Sequence, residues 1–194
     1  MKVKKILILI VASLCLFSFT TNKETKQENE NKQQQEFIYS KNIQDTFFGV
    51  KFGASHEEVK KAFAEQGLYL SDINTREDKL AFVNRNKKIS FGGGEWNYVI
   101  VSFSKGKFYL ITFQYATKYK ETALETFDAV LPSLSSKYNM NKQPIEDENI
   151  YKDYRANSKD GKLVFLYCHR AESSRGEMRY YTNLEYSDCN YYKQ

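Results

Sequence analysis

A chain of 194 residues, 41% apolar and 27% charged, with 15 Tyr, 14 Phe, nine Gly and two Pro, has material for one packed core. That composition excludes a collagenous or wholly low-complexity protein. The formal net charge of +5 becomes +2 without the three lysines Lys2, Lys4 and Lys5, too small an excess to argue for nucleic-acid binding.

Those lysines open a short basic stretch, and Ile6 to Phe17 follows as an apolar run of twelve residues. A bilayer-spanning helix needs about 20 residues, so the run fits the core of a secretory signal better than a membrane span. Ser18, Thr20 and Thr21 place cleavage near residue 20, and residues 1–21 are predicted as a signal peptide. A bacterial lipobox resembles Leu-small-small-Cys, whereas Leu14 precedes Cys15 here and the apolar run continues through Leu16 and Phe17. Export to a periplasm or the medium is expected, without a lipid anchor and with no transmembrane helix in the mature chain. Residues 22–36 are almost wholly Asn, Lys, Glu, Gln and Thr, and are predicted to be a disordered spacer before a single domain at 37–194.

Within that domain, Ser55-His-Glu-Glu58 has the form of a capping box. Val59, Ala62 and Phe63 share a helix face, and Gly67 with Leu68 suits a Schellman ending, so a helix is predicted over about 56–66. Shorter strands are predicted at 79–84 and 88–92, with Gly92, Gly93 and Gly94 as a bend. Residues 96–115 read as a hairpin. A three-residue loop at Ser104, Lys105 and Gly106, with Gly106 as a left-handed bulge, aligns Val99, Val101 and Phe103 with Tyr109, Ile111 and Phe113 on one apolar face. Trp96, Tyr98, Ile100, Phe108 and Leu110 are then expected on the other face. A second helix over about 118–138 carries the stripe Ala123, Leu124, Phe127, Val130, Leu131, Leu134 and Tyr138, with Pro132 predicting a kink. Strands are expected at 150–155, 162–170 and 177–187, the last two forming a hairpin. No long parallel crossover is evident. The predicted fold is therefore α+β, an antiparallel sheet with two helices packed on one face and two helix-then-strands repeats.

Phe52-Gly-Ala-Ser-His-Glu-Glu-Val59 followed by a helix, and a hairpin running Val-Ser-Phe-Ser-Lys-Gly-Lys-Phe-Tyr-Leu-Ile, resembles small exported modules of the beta-lactamase-inhibitor-protein type and the related outer-membrane assembly lipoproteins. Gly53, Ser55, Val59, Phe103, Gly106, Tyr109 and Leu110 or Ile111 occupy comparable places over about residues 52–113. The resemblance implies an α+β fold with a binding role for the exposed sheet face, and carries over no inhibitory residue.

Chemical motifs are sparse. His56 lies in the first turn of a predicted helix and reads as a solvated residue. His169 follows Cys168 directly, but neighbours on a strand point to opposite faces, so the pair is not expected to form a dyad. No metal-ligand spacing and no phosphate loop occurs, and no cofactor is expected. Cys168 and Cys189 fall at opposite ends of the predicted hairpin, beyond disulfide reach. The leading functional reading is an exported binding or interaction module using an aromatic sheet face, with Trp96, Tyr98, Phe108 and Tyr181 as binding residues and another exported or envelope protein as partner. The alternatives are an exported hydrolase using a carboxylate or Ser/Lys chemistry, and a structural component of an envelope assembly.

Overall fold

A computed structural model describes residues 38–72 and 75–192; the expected signal peptide at 1–21 and spacer at 22–36 lie outside them. In chain order the elements are β1 (Thr46–Phe47), β2 (Val50–Lys51), α1 (His56–Glu65), β3 (Tyr69–Leu70), β4 (Lys79–Val83), β5 (Ile89–Phe91), β6 (Gly94–Trp96), β7 (Tyr98–Ser104) and β8 (Lys107–Thr117). Then follow α2 (Lys120–Ser135), β9 (Asn141–Lys142), β10 (Ile150–Asn157), β11 (Lys162–Glu172), β12 (Met178–Asp188) and α3 (Cys189–Tyr192). Eight strands form one sheet in the order β3-β4-β7-β8-β12-β11-β10-β9, and every pairing is antiparallel. The protein belongs to the α+β class, as the order of elements predicts. No helix among the described residues is long and apolar enough to cross a membrane.

Alternate side chains on the longer strands enter one core. Leu80 and Phe82 on β4, Val99, Val101 and Phe103 on β7, and Ile111 and Phe113 on β8 are buried there. Leu184 and Tyr186 on β12, with Val164, Leu166 and Cys168 on β11, continue the same inward row. The helices supply the rest. In α1 the Ser55 hydroxyl accepts from the Glu58 N–H while the Glu58 carboxylate accepts from the Ser55 N–H at 2.7 Å. Gly67 adopts φ 71°, and the Leu68 N–H reaches the Phe63 carbonyl at 3.0 Å, closing the helix as the sequence predicts. Val59 and Phe63 are buried, and the Phe63 ring meets Phe82 at 4.6 Å. Ala123, Phe127, Val130 and Leu134 form the buried stripe of α2; Phe127 meets Tyr154 of β10, and the Thr182 hydroxyl donates to the Ala123 carbonyl.

Two features depart from the sequence reading. The 104–107 hairpin turns through two residues, Lys105 at φ 48° and Gly106 at φ 75°, with Ser104 opposite Lys107. The extra residue sits higher, at Tyr109, because Ser102 pairs with Leu110 while Phe103 pairs with Phe108. Val99 and Val101 still share a face with Phe113 and Ile111 as expected, but Phe108 joins the core and Tyr109 leaves it. The second departure is at Trp96. It ends β6, which pairs with β5 in a separate two-stranded ribbon around Gly92 and Gly93. That ribbon folds over the core: Phe91 stacks on Phe113 at 4.0 Å, and the Trp96 indole donates to the Phe91 carbonyl at 2.8 Å.

Both sheet edges are closed. Along β4, beyond the two-residue β3, the Ser71 N–H donates to the Ala81 carbonyl and the Ala81 N–H donates to the Thr75 hydroxyl. Along β10, beyond the two-residue β9, Gln143 and Ser40 donate to the carbonyls of Asp153 and Asn157. Neither border presents a long row of unmet backbone groups.

Candidate functional site

The face of the sheet opposite the buried row is set by the same alternation, and pairing register arranges it in rows. One row runs Ile100, Thr112, Glu185, Phe165, Arg155 across β7, β8, β12, β11 and β10. The next runs Tyr98, Gln114, Asn183, Tyr167, Asp153, and beyond it Ala116, Tyr181 and His169 stand side by side. On the other side of the Glu185 row lie Lys79, Ser102, Leu110, Ser187 and Leu163.

Hydrogen-bonded side chains occupy the centre. Gln114 Nε2 donates to Asn183 Oδ1 at 3.2 Å, and Asn183 stands directly opposite Tyr167 on the next strand. The Tyr167 hydroxyl donates to Glu185 Oε1 at 2.8 Å, and the Thr112 hydroxyl reaches that oxygen at 3.1 Å. Burial pushes the Glu185 carboxyl above the usual carboxylate range; the bonds from Tyr167 and Thr112 and the charge of Lys79 oppose it. Burial likewise raises Tyr167 and Tyr181, and it raises Tyr109 to about 12. Burial lowers Lys79, with nearby Arg76 pushing in the same direction. Asp153 is engaged by Arg155 through both carboxylate oxygens.

His169 stacks between Tyr167 and Tyr181, with ring centroids 5.2 and 5.3 Å away, and its Nδ1 is buried with no hydrogen-bond partner. The Ser187 hydroxyl is also buried and unpartnered, on a side chain 4% exposed. Cys168 points the other way into the core, so the strand separates it from His169 as expected. Cys189 opens α3 and does not bridge to Cys168, which lies opposite Thr182.

Of the four residues expected to bind, two stand on this face. Tyr98 and Tyr181 are half-buried and lie on neighbouring rows, flanking Gln114 and Ala116. Trp96 and Phe108 are 0% exposed and belong to the core. Trp96 is withdrawn because its strand ends at Asn97, whose N–H donates to the Gln114 carbonyl and whose side chain accepts from Ala116 N–H. Phe108 is withdrawn by the bulge at Tyr109, which reverses facing below it. His56, expected to be solvated, stacks on Phe103 at 3.7 Å, and its Nε2 lies 2.9 Å from the Glu77 carbonyl.

Glu185, Tyr167, Thr112 and Asn183 escape the sequence reading, which considers His169 only as a neighbour of Cys168. Strict alternation along 163–169 and 181–187 was the available signal, since it puts Phe165, Tyr167 and His169 beside Tyr181, Asn183 and Glu185 once those strands pair. Chemically the site offers one carboxyl of raised proton affinity, several phenols and an ammonium. Its only other carboxylate in the central rows, Asp153, is already neutralised. No protein-family model, curated protein or solved structure matches this chain.

Proposed function

We propose that the folded part is a binding module acting outside the cytoplasm, with the outer sheet face as its recognition surface and another exported or envelope protein as its partner. The observation that carries this reading is the character of that face: half-buried Tyr98, Tyr109 and Tyr181 around a hydrogen-bonded centre. Rigid aromatic side chains give large contact area at small entropic cost and are enriched in interfaces. Closed edges favour recognition by the face over addition of a partner strand.

Helices α1 and α2 are read as covering the opposite face together, since Phe63 meets Phe82 and Phe127 meets Tyr154. A duplicated unit of one helix and four strands accounts for the sheet order, with β3-β4-β7-β8 answered by β12-β11-β10-β9. Such a unit agrees with the resemblance to beta-lactamase-inhibitor-like modules, and the apolar run at Ile6 to Phe17 agrees with export. The hydrolase alternative draws support from the raised carboxyl of Glu185. It is the weaker reading because Asp153, the natural second carboxylate, is tied to Arg155.

A benzophenone side chain placed at Tyr98 or Tyr181, in cells that make the protein, tests the proposal. Irradiation is expected to yield a discrete heavier adduct from those positions and none from Glu125, exposed on α2. No adduct from the sheet face, or the same adduct from position 125, would overturn it.

A further inference from the structure

Two opposite charges on the outer face remain unpaired although each is drawn partly out of water. Glu185 receives its side-chain hydrogen bonds from Tyr167 and Thr112 on Oε1, and among the described residues no donor engages Oε2. Lys79 stands on β4, separated from β12 by β7 and β8, which places the two backbones about 14 Å apart at ~4.8 Å per strand. Its stem is half-buried, it feels the Glu185 charge, and it forms no ion pair among the described residues. On the row of Lys79, two residues along β12 from Glu185, the Ser187 hydroxyl is more than nine-tenths buried with no partner. Buried polar groups are normally satisfied, so an open carboxylate oxygen, an ammonium and a hydroxyl together define a patch short of its complement.

Other charges nearby are already spent. Arg155 and Asp153 neutralise each other at 2.5 Å, and Arg179 pairs with Glu177 at the far end of β12. What is left is a polarised surface, negative near the middle of the sheet and positive toward β4. Resting on the binding-face reading above, we propose that this surface recognises a dipolar segment of a partner polypeptide. A basic side chain of that segment donates to Glu185 Oε2, bordered by the rings of Tyr167 and Phe165, while an acidic side chain accepts from Lys79. Cation–π attraction adds to the ion pair at the first contact, and charge register fixes the direction in which the segment lies.

Panning a random twelve-residue peptide library on phage against the purified full chain tests this. Glu185→Gln keeps an oxygen to accept from Tyr167 and Thr112 but removes the charge, and Lys79→Met keeps the stem but removes the ammonium; Trp96 emission reports that both remain folded. Enriched peptides are expected to carry Arg or Lys together with Asp or Glu, and to bind each charge variant about tenfold more weakly than the unaltered protein. Failure to enrich any peptide, enrichment of uncharged peptides, or binding to both charge variants as tight as to the unaltered protein would overturn the proposal. Peptides indifferent to the charge variants but lost on Tyr98→Ala or Tyr181→Ala would sink the dipolar reading alone. Peptides indifferent to all four substitutions would sink the binding face as well.

Discussion

His169 is held neutral by its surroundings: burial pulls its pKa from 6.5 down to about 4. Between those values the unfolded chain takes up a proton that the folded chain refuses. Stability present above pH 6.5 is therefore lost as pH falls toward 4, by up to about 3 kcal/mol. Glu185 acts in the opposite sense, because its raised pKa favours the folded state at low pH and that benefit fades as pH rises. Replacing His169 by Phe keeps a ring between Tyr167 and Tyr181 and removes the titration. Thermal melts followed by circular dichroism should then lose much less stability from pH 6.5 to 4 than the unaltered protein does. An acid slope identical to the parent's would assign that instability to other groups. Strand alternation alone separated His169 from Cys168 correctly, because facing is a local property. The stacking of His56 on Phe103 was beyond reach of such reasoning, since the two residues meet only through tertiary packing.

Helix α1 was legible from start to stop, because cap, apolar face and Schellman closure all lie within the fourteen residues from Ser55 to Leu68. The β7–β8 hairpin was legible only above its turn. Both candidate geometries leave the odd residues of the two strands on one face above the turn, but the three-residue loop would set Val101 opposite Tyr109, whereas the two-residue turn with its bulge at Tyr109 sets it opposite Ile111. That difference put Phe108 inside. The β5–β6 ribbon shows a different limit: its three glycines read as a bend, but their closeness to other elements is invisible in sequence. A Cβ on Gly94 would lie 2.6 Å from Val130 and 2.8 Å from the Trp96 ring, whereas one on Gly106 meets nothing within 4 Å. Urea denaturation should therefore find Gly94→Ala destabilised by about 1–3 kcal/mol through overpacking. Gly106→Ala should lose only about 1 kcal/mol, for its left-handed backbone. Equal losses would mean that the ribbon can lift off the core without cost.

At the scale of the molecule, the single tryptophan is a core probe and not a binding anchor. Trp96 emission should be blue-shifted and resistant to acrylamide, reddening only with global unfolding; ready quenching in the native state would contradict its burial at the end of β6. An antiparallel α+β architecture could be read from short connections, yet the seam between β8 and β12 could not, since nothing local tells two distant strands to pair. That seam has its own consequence. Strand β12 follows every other described strand in the chain, but it fills the space between β8 and β11. Until it arrives, each half ends in a naked border, and those two borders are the long, adhesive kind that the finished molecule takes care to hide. A nascent chain stalled short of residue 178 is thus two open half-zippers, and the final strand is the slider that shuts them.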